Sequence, residues 1–312
     1  MHKISIKDVA KKANVSITAV SQILNNKGDR FSAETIKKVL QARDELGYVP
    51  NSAARNLKVR HSRLIGIIVP SFRMPFFADI IQSMQDNAPE DVNLVFIGST
   101  ADNLQSSIYS LVERGVQALI FGRPIPNRDV VNAFLKKRHI PYLVLDQNAD
   151  INAQDMVQTN EFTGGSLAAS HLLSLGHRDI ALILPNDLTD NMRQRRAGFL
   201  DTLSAANVTP ISVISAALSK HGGLAVVHQL IQSQATAAFI LNDEMAIGVL
   251  RGLTWQNVKV PEDISIVGYD DTDYAEFVVP SLTTIAQPVA EIGQSALNMI
   301  LQRLAHPNLP YQ

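Results

Sequence analysis

Over the first fifty positions, apolar residues recur at helical intervals and are interrupted by short polar turns. In residues 7–13, Val9, Ala10 and Ala13 fall on one face at three- and four-residue spacing, which predicts a helix. Asn14 suits the turn that follows, because its short polar side chain tolerates a left-handed backbone. Ser16 stands at the N-cap of a second helix. The inner face of that helix carries Val20, Ile23 and Leu24, and its outer face Ile17, Thr18, Ser21 and Gln22. Residues 26–30 make a polar loop containing Gly28. Ser32 caps a third helix with Glu34 in its first turn. There Ile36, Val39, Leu40 and Leu46 are expected to close a small core against Val9 and Val20, and Gly47 supplies the stop. After an extended exit before Pro50, Asn51 can cap a fourth helix of about two turns, a length marginal in water alone. This stretch reads equally as a plain linker or as a helix that folds on DNA, with Leu57 wedged between base steps of the minor groove.

From Leu64 the pattern changes to alternation of strands and helices. Apolar runs rich in β-formers lie at 64–69, 94–98, 118–121, 142–145, 180–184, 238–241 and 264–268, with a weaker one at 211–214. Helical stretches lie between them at 76–88, 104–114, 130–138, 165–175, 191–206, 223–232, 244–253 and 289–304. Such alternation predicts an α/β core of parallel sheets covered on both faces, and the length fits two sheets with a cleft between two lobes. Ligands of parallel α/β domains sit at the carboxyl ends of strands. The residues there are Phe76 and Phe77, Asp146 and Gln147, Arg195 opening the helix after the fifth strand, Asn242 and Asp243, Asp270 and Asp271, and Gln287. Aromatic rings cover the C–H face of a sugar, while carboxylates, amides and a guanidinium hydrogen-bond its hydroxyls. Singly, each also fits a cap or a surface position, with Asn191 and Asp243 as credible helix caps.

Charge sharpens the reading of the head. Residues 1–62 carry eight Lys and four Arg against five Asp and Glu, a net of +7, which leaves −8 on the remainder of a chain whose total is −1. A basic head on an acidic body points to phosphate contacts made by the head. A helix-turn-helix lays its second helix in the major groove with N-terminal side chains on base edges. A purely structural three-helix bundle is the competing reading, and the charge asymmetry argues against it. The absence of cysteine from the 312 residues excludes a disulfide framework, a thiol nucleophile and a cysteine-ligated metal. No apolar leader follows the first Met and no run approaches a membrane span, so the expectation is a soluble, cytoplasmic protein with no membrane partner. Phosphate-loop, dinucleotide, nucleophile-elbow and HExxH motifs are all missing, which argues against an enzyme and for no cofactor. His171 and His177 straddle Gly176, six apart, and do not make a helical metal pair.

Along nearly its whole length the chain resembles the LacI/GalR family of transcriptional repressors. The resemblance is carried by IKDVAKKANVS, AVSQILN, ETIKKVLQARDELGYVPNSAARNL, LIGIIVP, LGHRDIALI, RRAGF, LNDEMAIGVLRGL, VPEDISIVGYDD and PSLTTIAQP. It implies an operator-binding head, a hinge helix, a core similar to periplasmic sugar-binding proteins, and a homodimer on a pseudo-palindromic operator. It also implies a small effector in the cleft, a sugar in the commoner case. The implied DNA contacts are Ser16, Ile17, Thr18, Ser21, Gln22 and Asn25 in the head and Asn51, Ala54, Arg55 and Leu57 in the hinge. The implied effector contacts are Phe76, Phe77, Asp146, Arg195, Asn242, Asp270 and Gln287. The implied domains are 1–49, a hinge at 50–62, and a core at 63–312 with lobes of 63–158 plus 287–312 and 159–286.

Departures from the family pattern carry information too. Gln22 replaces the usual Arg, and glutamine favours a bidentate contact to adenine over guanine. Met74 replaces the Asn usual before Pro-Phe-Phe, Gln147 stands where Arg is common, and Asn160-Glu161 stands where Asp-Asn is usual. SQILN with the KGDRF loop is similar to ribose-operon repressors. The absence of leucine heptads after the last helix predicts a dimer, not a tetramer. The expected mechanism is lobe movement about three crossovers near 159, 245–250 and 286, by which a bound sugar alters operator affinity. Rival readings are a regulator answering to a protein or phosphorylated corepressor or to a non-sugar effector, a sugar receptor without DNA function, and a sugar-modifying enzyme, for which no acid–base pair is identifiable.

Overall fold

In the computed structural model, which describes residues 4–24, 30–48, 63–145 and 154–312, the head consists of α1 (Ile6–Ala13), α2 (Ile17–Leu24) and α3 (Ala33–Leu46). Local chemistry sets each boundary. The Ser5 backbone N–H donates to the Asp8 carboxylate at 2.8 Å, half of a reciprocal cap at the start of α1. Asn14 ends α1 in the left-handed conformation, at φ 53°. The Ser16 hydroxyl accepts from Ala19 N at 3.1 Å, and the Ser32 hydroxyl from Thr35 N at 3.2 Å. Gly47 ends α3 at φ 62°. Val9, Val20 and Val39 are fully buried among Ala10, Ala13, Ile23 and Ala42. Leu40 is not in that core. It lies one helical step, about 100°, beyond Val39, on an open groove with Ile36, Lys37 and Gln41.

Residues 63–312 form a separate unit from 1–62 and contain two sheets. The first holds β1 (Arg63–Val69), β2 (Val92–Gly98), β3 (Ala118–Phe121), β4 (Tyr142–Leu145) and β5 (Asp155–Val157) in the order β2-β1-β3-β4-β5. The second holds β6 (Ile180–Pro185), β7 (Ser212–Ala216), β8 (Ala237–Ile240), β9 (Ser265–Asp270) and β10 (Thr283–Ala286) in the order β10-β9-β8-β6-β7. Every strand pair is parallel. The strands read as unbroken apolar runs because both faces are covered. Ile65, Ile67 and Val69 face α4 (Pro75–Asp86) and the last helix, α12 (Val289–Ala305), through Ile80, Met84, Ala296 and Ile300. Ile68 faces α5 (Leu104–Glu113) and α6 (Arg128–Lys136), through Ile108, Leu111 and Leu135. In the second sheet Leu182 packs with Leu172 and Phe199 on α7 (Glu161–Ser174) and α8 (Asp190–Ala205). Ile183 packs on the opposite face with Leu230, Met245 and Val249.

Four details differ from the sequence pattern. Strands β5 and β10 are edge strands of three and four residues with polar members, too short and mixed to stand out as apolar runs. The helix expected at 223–232 is two, α9 (Lys220–Ala225) and α10 (Val227–Gln232), with a break at Val226. Helix α8 begins at Asp190, so Arg195 lies in its second turn and does not open it. No crossover exists at 245–250. That stretch is the interior of α11 (Asp243–Trp255), with Met245, Ala246 and Val249 fully buried. The described chain passes between the sheets at 158–160 and 287–288.

Glycines bring α7 and α8 together. A Cβ on Gly165 would lie 1.8 Å from the Arg195 carbonyl oxygen, and one on Gly198 would lie 1.9 Å from that of Phe162. With no side chain at either place, the two backbones touch. This sets the distance between Glu161 at the start of α7 and Arg195 on α8. Gly165→Ala is expected to destabilise the core by about 1–3 kcal/mol, read as a lowered midpoint of thermal unfolding; an unchanged midpoint would refute this role for the glycines.

Candidate functional site

Strand order reverses between β1 and β3 in the first sheet and between β6 and β8 in the second. Such reversals open crevices at the carboxyl ends of strands, where helices diverge to opposite faces. In the first sheet the chain leaves β1 and enters α4 at Met74-Pro75, with Pro at a first-turn position that needs no backbone donor. Phe76 and Phe77 therefore sit at the crevice, half-buried, with ring centroids 5.2 Å apart in an edge-to-face arrangement. The Phe77 ring lies against Gly122 just beyond β3, where a Cβ would approach it to 3.2 Å.

In the second sheet the centre is Arg195. It is 1% exposed. Its Nε donates to Glu161 Oε2 at 2.9 Å, and its Nη1 donates to the Leu241 carbonyl. Asp270 Oδ1 is 3.8 Å from Nη1. The guanidinium carbon lies 3.3 Å from the centroid of the Tyr269 ring, stacked on it. Gln287 Nε2 donates to Asp270 Oδ1 at 2.8 Å, which ties the end of β10 to the end of β9. Gln287 Oε1 is buried with no hydrogen-bond partner, an acceptor without a donor to meet it. Asp270 has φ 121°, a conformation L-residues rarely adopt, and the next residue, Asp271, has φ 56°. Backbone strain of this kind persists where surrounding contacts over-determine it, commonly at functional sites.

Burial works against the charge on Arg195. Glu161 and Asp270 more than offset it, so the guanidinium is held above its ordinary pKa. Burial also raises the Tyr269 hydroxyl, against the Arg195 cation, and keeps it protonated; it hydrogen-bonds Glu161. Neither Glu161 nor Tyr269 was singled out from the sequence as a site residue. The Asn160-Glu161 departure was the one signal available for Glu161.

The remaining expected contacts divide. Asn242 is 2% exposed, and its side chain caps α11 by accepting from Met245 N at 3.0 Å. Asp243 is not the cap. Its carboxylate accepts from Thr272 N at 2.9 Å and Thr284 Oγ1 at 2.7 Å, joining α11 to the loop after β9 and to β10. Asn191 is not a cap either; it follows Thr189, the N-cap of α8, and hydrogen-bonds its hydroxyl. Asp146 and Gln147 lie outside the described residues, as do Asn25, Asn51, Ala54, Arg55 and Leu57. Sequence reasoning also passed over Arg123 after β3, which is 9% exposed and donates to the Ser99 carbonyl. Among the described residues no group of His, Asp or Glu could hold a metal ion, and no helix is long and apolar enough to cross a membrane.

On the head, Ile17 is 45% exposed and Thr18 is exposed beside it, with Ser21 and Gln22 half-exposed on the same side of α2. Ala19, Val20 and Ile23 turn inward. One face of α2 is thus consumed by the core and the other presents a hydroxyl, an amide and an apolar tip, the groups that read base edges. Ser16 is occupied as the cap.

A helix-turn-helix head and a core of two parallel sheets, with strand-order reversals where ligands of such sheets bind, point to a DNA-binding regulator with a receptor core. A model described as bacterial regulatory proteins, lacI family, matches residues 5–51, and one for a periplasmic binding protein-like domain matches residues 169–312. An HTH-type transcriptional repressor PurR of Haemophilus influenzae is 34% identical over 310 residues, covering 97% of this chain and 91% of that protein. A ribose operon repressor of Haemophilus influenzae is 33% identical over 319 residues, covering 99% and 94%. A crystal structure of a LacI family transcriptional regulator from Enterococcus faecium with bound ribose is 35% identical, with a TM-score of 0.75, covering 80% of this chain and 93% of that one. The chain belongs to the lacI family of bacterial regulatory proteins, and is a helix-turn-helix transcriptional regulator of that family.

The site generates a pH dependence. Burial pushes the Asp270 carboxyl up to about 7, against the Arg195 cation and the Gln287 amide, whereas an unfolded aspartate titrates near about 4. A pKa raised on folding gives stability that is complete below the unfolded value and is lost as pH rises through the folded one. Asp270→Asn does not titrate, so its melting temperature relative to wild type is expected to climb between about pH 4.5 and about pH 8. A pH-independent difference between the two proteins would contradict the assignment.

Proposed function

We propose that this chain represses a carbohydrate-utilisation operon and is released from a pseudo-palindromic operator by a small sugar, of the pentose class, bound between the two lobes of its core. The observation that carries the sugar reading is the Arg195–Asp270–Gln287 cluster, where a carboxylate lies 3.8 Å from a guanidinium and is bonded by an amide whose own oxygen is buried and unmet. These groups supply both acceptors and a donor for hydroxyls, and the paired rings of Phe76 and Phe77 offer an apolar face. The ribose named for two similar proteins supports a pentose. The proposed effector contacts are Phe76, Phe77, Asp146, Arg195, Asp270 and Gln287, with Asn242 acting mainly by capping α11. The protein works by binding and not by catalysis, in the cytoplasm where operator DNA lies.

The proposed domain plan is a DNA-binding head at 1–49, a hinge at 50–62 and an effector-binding and dimerisation core at 63–312. Ile17, Thr18, Ser21, Gln22 and Asn25 read the major groove, and Asn51, Ala54, Arg55 and Leu57 act at the hinge. Two heads of a homodimer then address the two half-sites of the operator. A sugar that favours one lobe arrangement lowers operator affinity by its differential affinity for the two states.

Isothermal titration of the full chain with ribose, arabinose, xylose, glucose and hypoxanthine tests the effector. Ribose or another pentose is expected to bind, with at least about a tenfold loss in Asp270→Ala, the loss of a charged hydrogen-bonding group. Binding of hypoxanthine alone would replace the sugar reading with a nucleobase one. For the head, Gln22→Arg is expected to move operator preference from adenine to guanine at one position per half-site, by about 1–3 kcal/mol, measured by fluorescence anisotropy on paired operators. Unchanged preference would remove Gln22 from the base-reading set.

A further inference from the structure

Arginine recognises phosphate and carboxylate through its fork, two parallel N–H groups along one edge. One edge of the Arg195 fork includes Nε, whose single N–H is taken, and the other includes Nη1, one of whose N–H groups is taken. Nε donates to Glu161 at 2.9 Å and Nη1 to the Leu241 carbonyl. Among the described residues none accepts from Nη2. Two of the five guanidinium N–H groups are thus engaged, and the charge is met by Glu161 in a pair whose side chains are 2% and 4% exposed. Glu161 is itself fixed, since Thr159 Oγ1 donates to its Oε1 at 2.8 Å. The site also carries acceptors: the Asp270 carboxylate 3.8 Å from Nη1, and, on the amide that bonds Asp270, Gln287 Oε1, buried and unmet. Acceptors call for O–H or N–H donors on the ligand and repel an anion.

We infer that Glu161 restricts this site to uncharged, hydroxyl-bearing ligands, by occupying the Nε edge of the arginine fork and meeting the charge that phosphorylated and carboxylated ligands would need. Glu161 is a positioning residue in this account, acting through Arg195. The inference rests on the proposed effector site and goes further by fixing the charge class of the ligand and the residue that enforces it. It also excludes a phosphorylated effector held on Arg195.

The test uses the full chain, its Glu161→Gln variant and the Glu161→Gln/Arg195→Ala double variant. Titration compares ribose with ribose 5-phosphate, and thermal unfolding compares inorganic phosphate with chloride at equal ionic strength. Wild type is expected to bind ribose over ribose 5-phosphate and to gain no phosphate-specific stabilisation. Glu161→Gln is expected to shift that preference at least about tenfold toward the phosphate ester, the scale of one unscreened charge contact. It should also gain a phosphate-specific rise in melting temperature that the double variant lacks. Wild type favouring ribose 5-phosphate, Glu161→Gln keeping the wild-type preference, or a phosphate effect surviving in the double variant would each overturn the inference. If wild type binds neither sugar, the pentose reading falls, and the phosphate arm still decides the role of Glu161. Glu161→Asn, the residue usual at this place in the family, stands in if the glutamine variant does not fold.

Discussion

The ion pair between Arg195 and Glu161 is the constraint on which the second lobe's strand ends depend. Both side chains are almost wholly buried, and removing one partner from such a pair leaves an uncompensated charge worth about 3–5 kcal/mol of destabilisation. Three further features make the burial tolerable. The Leu241 carbonyl accepts a second N–H, the Tyr269 ring stacks under the guanidinium, and Asp270 adds a second negative group. These partners come from α7, the end of β8 and the end of β9, so one side chain pins α7, α8 and the ends of β8 and β9 in mutual register. The cluster is also where backbone strain concentrates, at Asp270 and Asp271.

Position ties this constraint to movement. Glu161 is the first residue of α7, directly after the passage between the two sheets at 158–160, and its carboxylate is shared with Thr159 in that passage. The other passage, at 287–288, begins with Gln287, which bonds Asp270. Both connections between the lobes therefore end on the same polar cluster. A ligand that engages Asp270 or Gln287 acts on groups that also hold the ends of the connecting segments. This gives the two-state coupling of an effector-controlled regulator a physical route.

Much of this was legible in the sequence. The head's helix limits follow from Ser16, Ser32, Asn14 and Gly47, whose local preferences do not depend on the rest of the chain. The long buried strands announced themselves as apolar runs. What escaped was set by tertiary contact. Strand β5 exists because a parallel neighbour pairs with it, since Asp155 does not favour a strand, and β10, whose threonines and isoleucine do, is only four residues long at the sheet edge. The crossover expected at 245–250 failed because Met245–Val249 is an apolar stretch of buried helix. Within the site, strand-end placement identified Arg195, Asp270 and Gln287 as neighbours. It did not reveal that Arg195 faces inward, since that follows from Glu161 and from glycine contacts between α7 and α8. Asn242 was legible in position but is engaged as a cap.

The central claim is that ligand binding at the Arg195 cluster and operator binding by the head are thermodynamically linked. Its most direct test is ribose affinity of the full chain measured with and without saturating operator duplex. By linkage, the factor by which operator changes ribose affinity equals the factor by which ribose changes operator affinity. The account predicts that operator weakens ribose binding, with the same factor recovered from the reciprocal titration. Equal ribose affinity in the free and operator-bound protein would contradict it.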